Sequence, residues 1–123
     1  MASSSTLSFI IQAMRSATNR SKHEFDTVVT MADVKQFSCI DVKLASGSVA
    51  NAVNFGSLSN IVGLFVFTSK KIGLHVNGAG STEIECGSVW AALDTSITSL
   101  HIDNDLQSPA AEQIVEVWLA TKT

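Results

Sequence analysis

The chain has 123 residues, of which 46% are hydrophobic and 15% charged, and its formal net charge is −3. This length fits one domain with a core of its own, and the apolar fraction argues against an intrinsically disordered chain. The acidic balance and the scattered basic residues argue against nucleic-acid binding, because affinity for phosphate backbones comes from clustered Lys and Arg.

Residues 1–22 differ from the rest and are predicted to form an N-terminal arm. Apolar side chains recur at helical spacing after the N-cap candidates at residues 3–6, whereas residues 7–11 also tolerate an extended conformation. We therefore expect a helical or extended arm that docks on its own domain or on a neighbour. It has neither the features of a signal peptide nor the length of a membrane span, so we expect no membrane contact. The interface candidates in the arm are Leu7, Phe9, Ile10, Ile11 and Met14.

Residues 23–123 carry the pattern of one all-β domain, an antiparallel β-sandwich or barrel. Alternation is clearest over residues 38–44, and Ile61–Phe67 is apolar on both faces, which predicts a central strand covered on each side. Residues 88–93 fit either a strand or a single helical turn. The pattern gives eight or nine strands, with further segments at residues 72–76, 82–86, 97–102 and 114–120.

Cysteines and histidines are too few and too dispersed to predict a metal centre. Cys39 and Cys86 are expected to be buried free thiols, although a disulfide between them stays open if their strands face each other. A histidine site would require strands 72–76 and 97–102 to be neighbours that place His75 beside His101, and no third ligand is obvious. We expect surface or interface histidines, no metal and no cofactor.

The carboxylates also predict surfaces and turns instead of catalysis. The Asp-Asn-Asp run at residues 103–105 resembles the start of a calcium loop, but Ser108 and Ile114 stand where a glycine and a bidentate Glu are needed. An Asx-rich turn is the preferred interpretation. Glu83 and Glu85 fall on one strand face and indicate a solvated or partner-facing patch. Without a nucleophile signature or a phosphate-binding loop, we expect no enzyme activity.

The two tryptophans, Trp90 and Trp118, are the aromatic interface candidates. Trp118 alternates with Val117 and Leu119, so it either covers the second face of its sheet or anchors a subunit contact. The absence of tyrosine weakens a carbohydrate-binding reading, because such platforms draw on Trp and Tyr together.

Three segments of the second half carry a family resemblance: His-Val-Asn-Gly at residues 75–78, SITSLHIDN at residues 96–104 and IVEVWLA at residues 114–120. This order of strand, turn and closing strand resembles small structural proteins of tailed bacteriophage virions, over roughly the last 60 residues. The resemblance implies a jelly-roll-like sandwich that serves as a capsid decoration (cement), neck or tail component.

The function that the resemblance implies is structural. The chain is then assembled in the host cytoplasm into a virion, forms dimers or trimers, and binds the major capsid protein or other virion proteins over joints between capsid subunits. The alternative is a neck, tail or fibre-associated module that recognises a glycan or another virion protein, with Trp90 or Trp118 near residues 103–105. A cupin-like enzyme would require a His-rich metal site inside the barrel, which three dispersed histidines argue against.

Overall fold

The computed structural model describes residues 5–14 and 24–122, with side chains described from residue 30 onward. These ranges contain nine strands and no helix, so the predicted all-β class is confirmed. The strands are β1 (Ser5–Met14), β2 (Glu24–Leu44), β3 (Asn51–Ala52), β4 (Ile61–Phe67), β5 (Ile72–Val76), β6 (Ile84–Cys86), β7 (Val89–Ile97), β8 (Leu100–Asp103) and β9 (Gln113–Lys122).

The strands form two antiparallel sheets. The larger sheet has the order β1-β2-β9-β4-β7, and the smaller has the order β3-β8-β5-β6. The pairings are nested along the chain: β2 pairs with β9, β3 with β8, β4 with β7 and β5 with β6. From β2 to β5 and again from β6 to β9, consecutive strands therefore alternate between the two sheets, and most pairings join strands that are distant in sequence.

One hydrophobic core is built from both sheets. It follows from the alternation of strand side chains, which turns every second residue of β4, β5, β8 and β9 inward. In β4, Leu64 and Val66 are fully buried on the core side, and Phe65 is 5% exposed on the opposite face. The predicted central strand at Ile61–Phe67 is confirmed, since β4 lies between β9 and β7. Further core residues are Leu44, Ile72, Leu74, Ile97, Leu100, Ile102, Val115, Val117 and Leu119.

The predicted strand at residues 97–102 is confirmed from Leu100 onward, but its start is wrong, because Ile97 belongs to a different strand. β7 ends at Ile97 in the larger sheet, and β8 begins at Leu100 in the smaller one. The side chain of Asn77 stabilises the crossing between the sheets: its Oδ1 accepts a hydrogen bond from the Thr98 backbone at 2.7 Å, and its Nδ2 donates to the Ser96 carbonyl at 2.9 Å. The undecided residues 88–93 belong mostly to β7 and are extended.

The N-terminal segment is extended over Ser5–Met14, where it pairs antiparallel with β2, so the helical alternative is not observed there. β2 has 21 residues and changes partner along its length. Its residues 24–31 and Val34 pair with β1, whereas pairing with β9 begins at Val34, next to a register shift. We call β1 and residues 24–33 the ribbon. At roughly 3.3 Å per residue, the ribbon continues for about 30 Å beyond the point where β9 begins to pair.

Met31 fastens the ribbon to the body of the domain. It is fully buried, and it clusters with Val34 and Ala120. Gly63 has no room for a side chain, since a Cβ there would meet the Met31 side chain and the Ala120 methyl group. The ribbon therefore has at least one well-packed contact with the larger sheet.

Candidate functional site

The outer face of the smaller sheet gathers several titratable side chains. In β5 and β8 the apolar residues Leu74 and Ile102 turn to the core, so their neighbours His75, His101 and Asp103 turn outward. The antiparallel register of β5 and β8 sets His75 opposite His101. The sequence condition for a histidine site, namely that these strands be neighbours, is thus met.

Three of these outward side chains converge, and we call them the polar cluster: His75, Glu83 and Asp103. One ligand atom from each lies within 4.8 Å of the others. His75 Nε2 is 2.9 Å from Asp103 Oδ2 and 3.9 Å from Glu83 Oε1. The side chains of His75 and Asp103 are each 15% exposed, and that of Glu83 is 35% exposed, so the cluster is shielded yet reachable from solvent.

The surroundings of His75 decide which ring nitrogen carries a proton. Nδ1 is 2.7 Å from the Ser81 carbonyl oxygen, which can only accept, so Nδ1 must donate. Nε2 then faces the Asp103 carboxylate at 2.9 Å. Two acceptors do not approach so closely without a positive charge between them. The geometry therefore calls for a proton between Nε2 and Oδ2 or for a metal cation at Nε2.

The electrostatics of the cluster agree with this geometry. Hydrogen bonds to the Ser81 carbonyl and to Asp103 raise the pKa of His75, against the opposing effect of desolvation. Burial acts to raise the pKa of Asp103, but hydrogen bonds from the Ala50 backbone, His75 and Glu83 together hold it below the ordinary value. A hydrogen bond shared with Asp103, together with desolvation, raises the pKa of Glu83. The site favours positive charge between its carboxylates.

Two backbone features make room for the cluster. Gly73 stands opposite Asp103 in the register, and a Cβ at residue 73 would collide with the Glu83 carboxyl group, so the missing side chain leaves the space that Glu83 fills. The Ala50 amide donates to Asp103 Oδ1 at 2.7 Å, which leaves Oδ2 directed at His75. The positions of both carboxylates are thus set by the backbone around them.

Sequence reasoning missed the ligands that complete this arrangement. It sought a third ligand beside His75 and His101, whereas the structure joins His75 to Glu83 and Asp103, and His101 is not part of the cluster. The Nδ1 atom of His101 is buried without a hydrogen-bond partner. The signal that could have found Asp103 is strand alternation, because strand residues two apart share a face. A predicted strand that continued to residue 103 would have placed Asp103 on the same face as His101.

The expected patch of Glu83 and Glu85 is therefore divided. Glu85 remains a surface residue, with a side chain 65% exposed and 3.9 Å from the Lys71 ammonium group. Glu83 is drawn over Gly73 into the polar cluster. The solvated-patch interpretation is confirmed for Glu85, whereas Glu83, although exposed as well, belongs to the polar cluster.

Residues 103–105 end β8 and begin the segment that leads to β9, and their side chains have three different roles. Asp103 belongs to the polar cluster, Asp105 is exposed, and Asn104 is fully buried. The Asn104 amide donates to the Ala45 carbonyl at 2.9 Å and to the Ala111 carbonyl at 2.8 Å. It thereby ties the loop after β2 to the loop before β9.

The outer face of the larger sheet carries a group of aromatic side chains that we call the aromatic surface: Phe37, Phe65, Phe67 and Trp118. Phe37 stacks on Trp118 with ring centroids 4.9 Å apart, and it meets Phe65 edge-to-face at 5.9 Å. These rings line a shallow groove with Glu116, whose Oε1 accepts a 2.8 Å hydrogen bond from Trp118 Nε1. Phe37 is 37% exposed and Phe67 is 41% exposed, so the groove is open to a partner.

The remaining predicted residues are distributed as follows. Trp118 belongs to the aromatic surface, whereas Trp90 is half-buried against the core. The two tryptophans therefore do not form one platform, and Trp118 and residues 103–105 belong to different sheets. The side chains of the five arm candidates lie outside the described residues, although β1 places their backbone in the ribbon. Those candidates are Leu7, Phe9, Ile10, Ile11 and Met14.

Both cysteines are free, so no disulfide joins them. Cys86 is 2% exposed and faces the core as expected. Cys39 is exposed, which corrects the expectation of two buried thiols. The reason is strand alternation: Ile40 and Val42 pack against the core, so Cys39 falls on the outer face of β2.

Comparisons with protein-family models, with curated proteins and with solved structures gave no match for this chain. No helix in the described part of the chain has the length and apolarity required to cross a membrane.

Proposed function

We propose that this chain is a non-enzymatic structural protein of a bacteriophage virion, namely a capsid decoration (cement) protein that binds the major capsid protein. In this proposal it forms a dimer or trimer, and the ribbon and the outer sheet faces make the contacts to the shell. The observation that carries the proposal is the ribbon, because it is a feature that a self-contained domain does not need.

The ribbon is poorly suited to standing alone in water. A two-stranded hairpin is marginally stable without a third strand or a packing partner. The register sets Leu7 opposite Met31, Phe9 opposite Val29, and Ala13 opposite Phe25. These positions alternate with Ser8–Thr30 and Gln12–Asp26 pairs, so by strand alternation one face of the ribbon is apolar in sequence and the other is more polar. An apolar ribbon face gains free energy when a partner covers it.

The strand order supports a jelly-roll fold for the proposed virion protein. With the edge strand β1 set aside, the sheets read β2-β9-β4-β7 and β3-β8-β5-β6. This is the order produced when a long antiparallel hairpin of eight strands wraps into two sheets, as in jelly rolls of viral capsid proteins, lectins and cupins. The fold alone does not select among these functions.

Three further observations favour the virion class over the other two. A cupin-like enzyme holds its metal inside the barrel, whereas His75 lies on the face of β5 opposite the core residues Ile72 and Leu74. A glycan platform that combines Trp90 or Trp118 with residues 103–105 is not supported, because Trp90 packs on the core and Trp118 lies on the other sheet. The low charged fraction of 15% suits a surface that is covered in an assembly.

The test is the copy number of the chain in purified phage particles from the host that carries its gene. Quantitative mass spectrometry against the major capsid protein is expected to give a ratio of the order of one per capsid subunit or capsomer. A few copies per particle would support a neck or tail position instead, and absence from the particles would overturn the virion proposal.

A second test addresses the ribbon. The variant Phe9→Asp places a charge on the apolar register face, and Ser8→Asp places the same charge one residue away on the other face. Co-sedimentation with shells that lack the native chain is expected to be lost with Phe9→Asp and kept with Ser8→Asp. Equal binding of both variants would contradict attachment through the ribbon.

A further inference from the structure

The polar cluster has the composition and arrangement of a metal site. His75 comes from β5, Asp103 from β8, and Glu83 from the residue before β6, so three separate segments each contribute one side chain. One imidazole nitrogen and two carboxylate oxygens lie within 4.8 Å of one another. Neighbouring carboxylates repel each other unless a proton or a cation lies between them.

The groups around the cluster orient its ligand atoms. In metal sites, the ligating histidine almost always donates its other ring N–H to a carbonyl or carboxylate, which fixes the tautomer. His75 does this with the Ser81 carbonyl at 2.7 Å, so its Nε2 is the free ligand atom. Asp103 is held in the same manner through Oδ1, by the Ala50 amide at 2.7 Å. Both contacts are to backbone groups outside the cluster, and both leave the facing atoms Nε2 and Oδ2 for a cation.

We propose that His75 Nε2, Asp103 Oδ2 and a Glu83 carboxylate oxygen bind one divalent transition-metal cation of the Zn²⁺ class. The ligand set favours this class, since an imidazole suits Zn²⁺ and its neighbours, whereas Ca²⁺ prefers six to eight oxygens. Water completes the coordination. The metal links the β5–β6 hairpin to β8, so its binding stabilises the smaller sheet.

The consequence for the protein is that metal binding stabilises the folded chain by mass action, and we call this effect the clamp. A cation that binds the folded chain and not the unfolded chain raises stability as RT ln(1 + [L]/Kd), about 2.7 kcal/mol at a hundredfold excess over Kd. The clamp is independent of the proposed virion function, because it concerns only the folding of one chain.

The experiment is titration of the full-length, chelator-treated protein with ZnCl₂, MnCl₂ and CaCl₂, followed by calorimetry and by thermal unfolding. We expect one saturable Zn²⁺ site per chain, a rise in Tm on Zn²⁺ addition, and weaker binding of Ca²⁺ than of Zn²⁺. X-ray absorption of the Zn²⁺ complex is expected to show a single imidazole nitrogen with oxygen ligands.

Matched variants complete the test. His75→Ala and Asp103→Asn are expected to lower Zn²⁺ affinity at least about tenfold, whereas His101→Gln, opposite His75 on the same face, leaves it unchanged. Circular dichroism of each variant establishes that the β fold is retained, and Glu83→Gln, at a more exposed ligand, provides a milder change if His75→Ala unfolds. Absence of a saturable site, or wild-type affinity in the ligand variants, would overturn the proposal.

Discussion

His75 and Asp103 meet on the outer face of the smaller sheet, with Nε2 and Oδ2 separated by 2.9 Å. They are 28 residues apart in sequence and meet because β5 pairs with β8. The other ring nitrogen, Nδ1, donates to the Ser81 carbonyl. In the absence of a metal, the contact between Nε2 and Oδ2 therefore requires a proton between these two atoms. This relationship makes the stability of the metal-free protein depend on pH.

We expect the metal-free protein to lose stability as the pH rises above about 6.5. The folded-state pKa of His75 is raised by Ser81 and Asp103. A raised histidine pKa contributes stability that is fully present below the unfolded value of about 6.5 and is lost as the pH rises through the folded value. Glu83 also has a raised pKa, so its ionisation acts in the same direction at lower pH. Urea unfolding in the presence of EDTA at several pH values measures the slope.

Two histidine variants control for this pH effect. His75→Gln removes the titrating ring and is expected to flatten the dependence above about pH 6, since the linked imidazole is then gone. His101→Gln alters the histidine that stands opposite His75 in the register and is expected to preserve the slope. A wild-type slope in His75→Gln would show that another group is responsible.

Gly73 is expected to be required for the position of Glu83. Gly73→Ala introduces a Cβ into the space occupied by the Glu83 carboxyl group, so this flexible side chain must move out of the polar cluster. We predict that the variant folds but binds Zn²⁺ about tenfold more weakly, as expected for loss of one positioned ligand. Gly87→Ala is the control, because a Cβ there meets no atom within 4 Å. Calorimetry on both variants makes the comparison, and equal affinities would contradict a role for Gly73.

Asn104 is expected to be among the most sensitive positions in the chain. Its fully buried amide donates to the carbonyls of Ala45 and Ala111 and accepts from the side chains of Gln107 and Gln113. Asn104→Ala leaves several of these groups buried without a partner, which costs about 3 kcal/mol.

The neighbouring Asp105 supplies the comparison for Asn104. It is exposed, and Asp105→Ala is expected to change the free energy of unfolding by less than about 0.5 kcal/mol. Urea denaturation of both variants at one pH measures the difference. If the two variants were equally stable, the buried amide would not be holding the loops together.

The sequence was sufficient for the class of the fold because alternation of period two is a local property. Ile72 and Leu74 could be assigned inward, and His75 outward, without knowledge of any partner strand. The break between β7 and β8 left one local signal that was overlooked: Ile97 and Leu100 are both apolar but three residues apart, so one continuous strand would place them on opposite faces. The link between β7 and β8 is held by the side chain of Asn77, the residue after β5. Asn77 accepts a hydrogen bond from the Thr98 backbone, 21 residues away in sequence.

The polar cluster could not be predicted because it depends on strand pairing. His75 and Asp103 become neighbours only when β8 lies beside β5, and many strand orders bury the same apolar faces. Glu83 was assigned to a solvated strand face because no sequence signal shows that Gly73 leaves space for it. The turn-like composition of residues 103–105 concealed the fact that Asp103 is the last residue of a strand.

The thiol of Cys39 is expected to react more slowly than a free cysteine. Partial desolvation, then the carboxylates of Glu116 and Asp41, raise its pKa, so less thiolate is present at neutral pH. Glu116→Gln removes one of these charges and is predicted to speed alkylation by iodoacetamide about two- to threefold, the size expected for one nearby surface charge. Glu112→Gln, an exposed carboxylate paired with Lys43, is the control and is expected to leave the rate unchanged. An identical rate in Glu116→Gln would contradict the electrostatic explanation.

Met31 is expected to couple the ribbon to the rest of the domain. Its side chain is fully buried against Ala120 and the backbone of Gly63, so Met31→Ala leaves a cavity and costs about 3 kcal/mol if the ribbon and body unfold together. The adjacent Thr30 is exposed, and Thr30→Ala is expected to have little effect. Hydrogen exchange distinguishes the two possible responses: in Met31→Ala the amides of β1 are expected to lose protection before those of β4 and β9. A ribbon that kept its protection in this variant would be folded independently of the body, and Met31 would not be its attachment point.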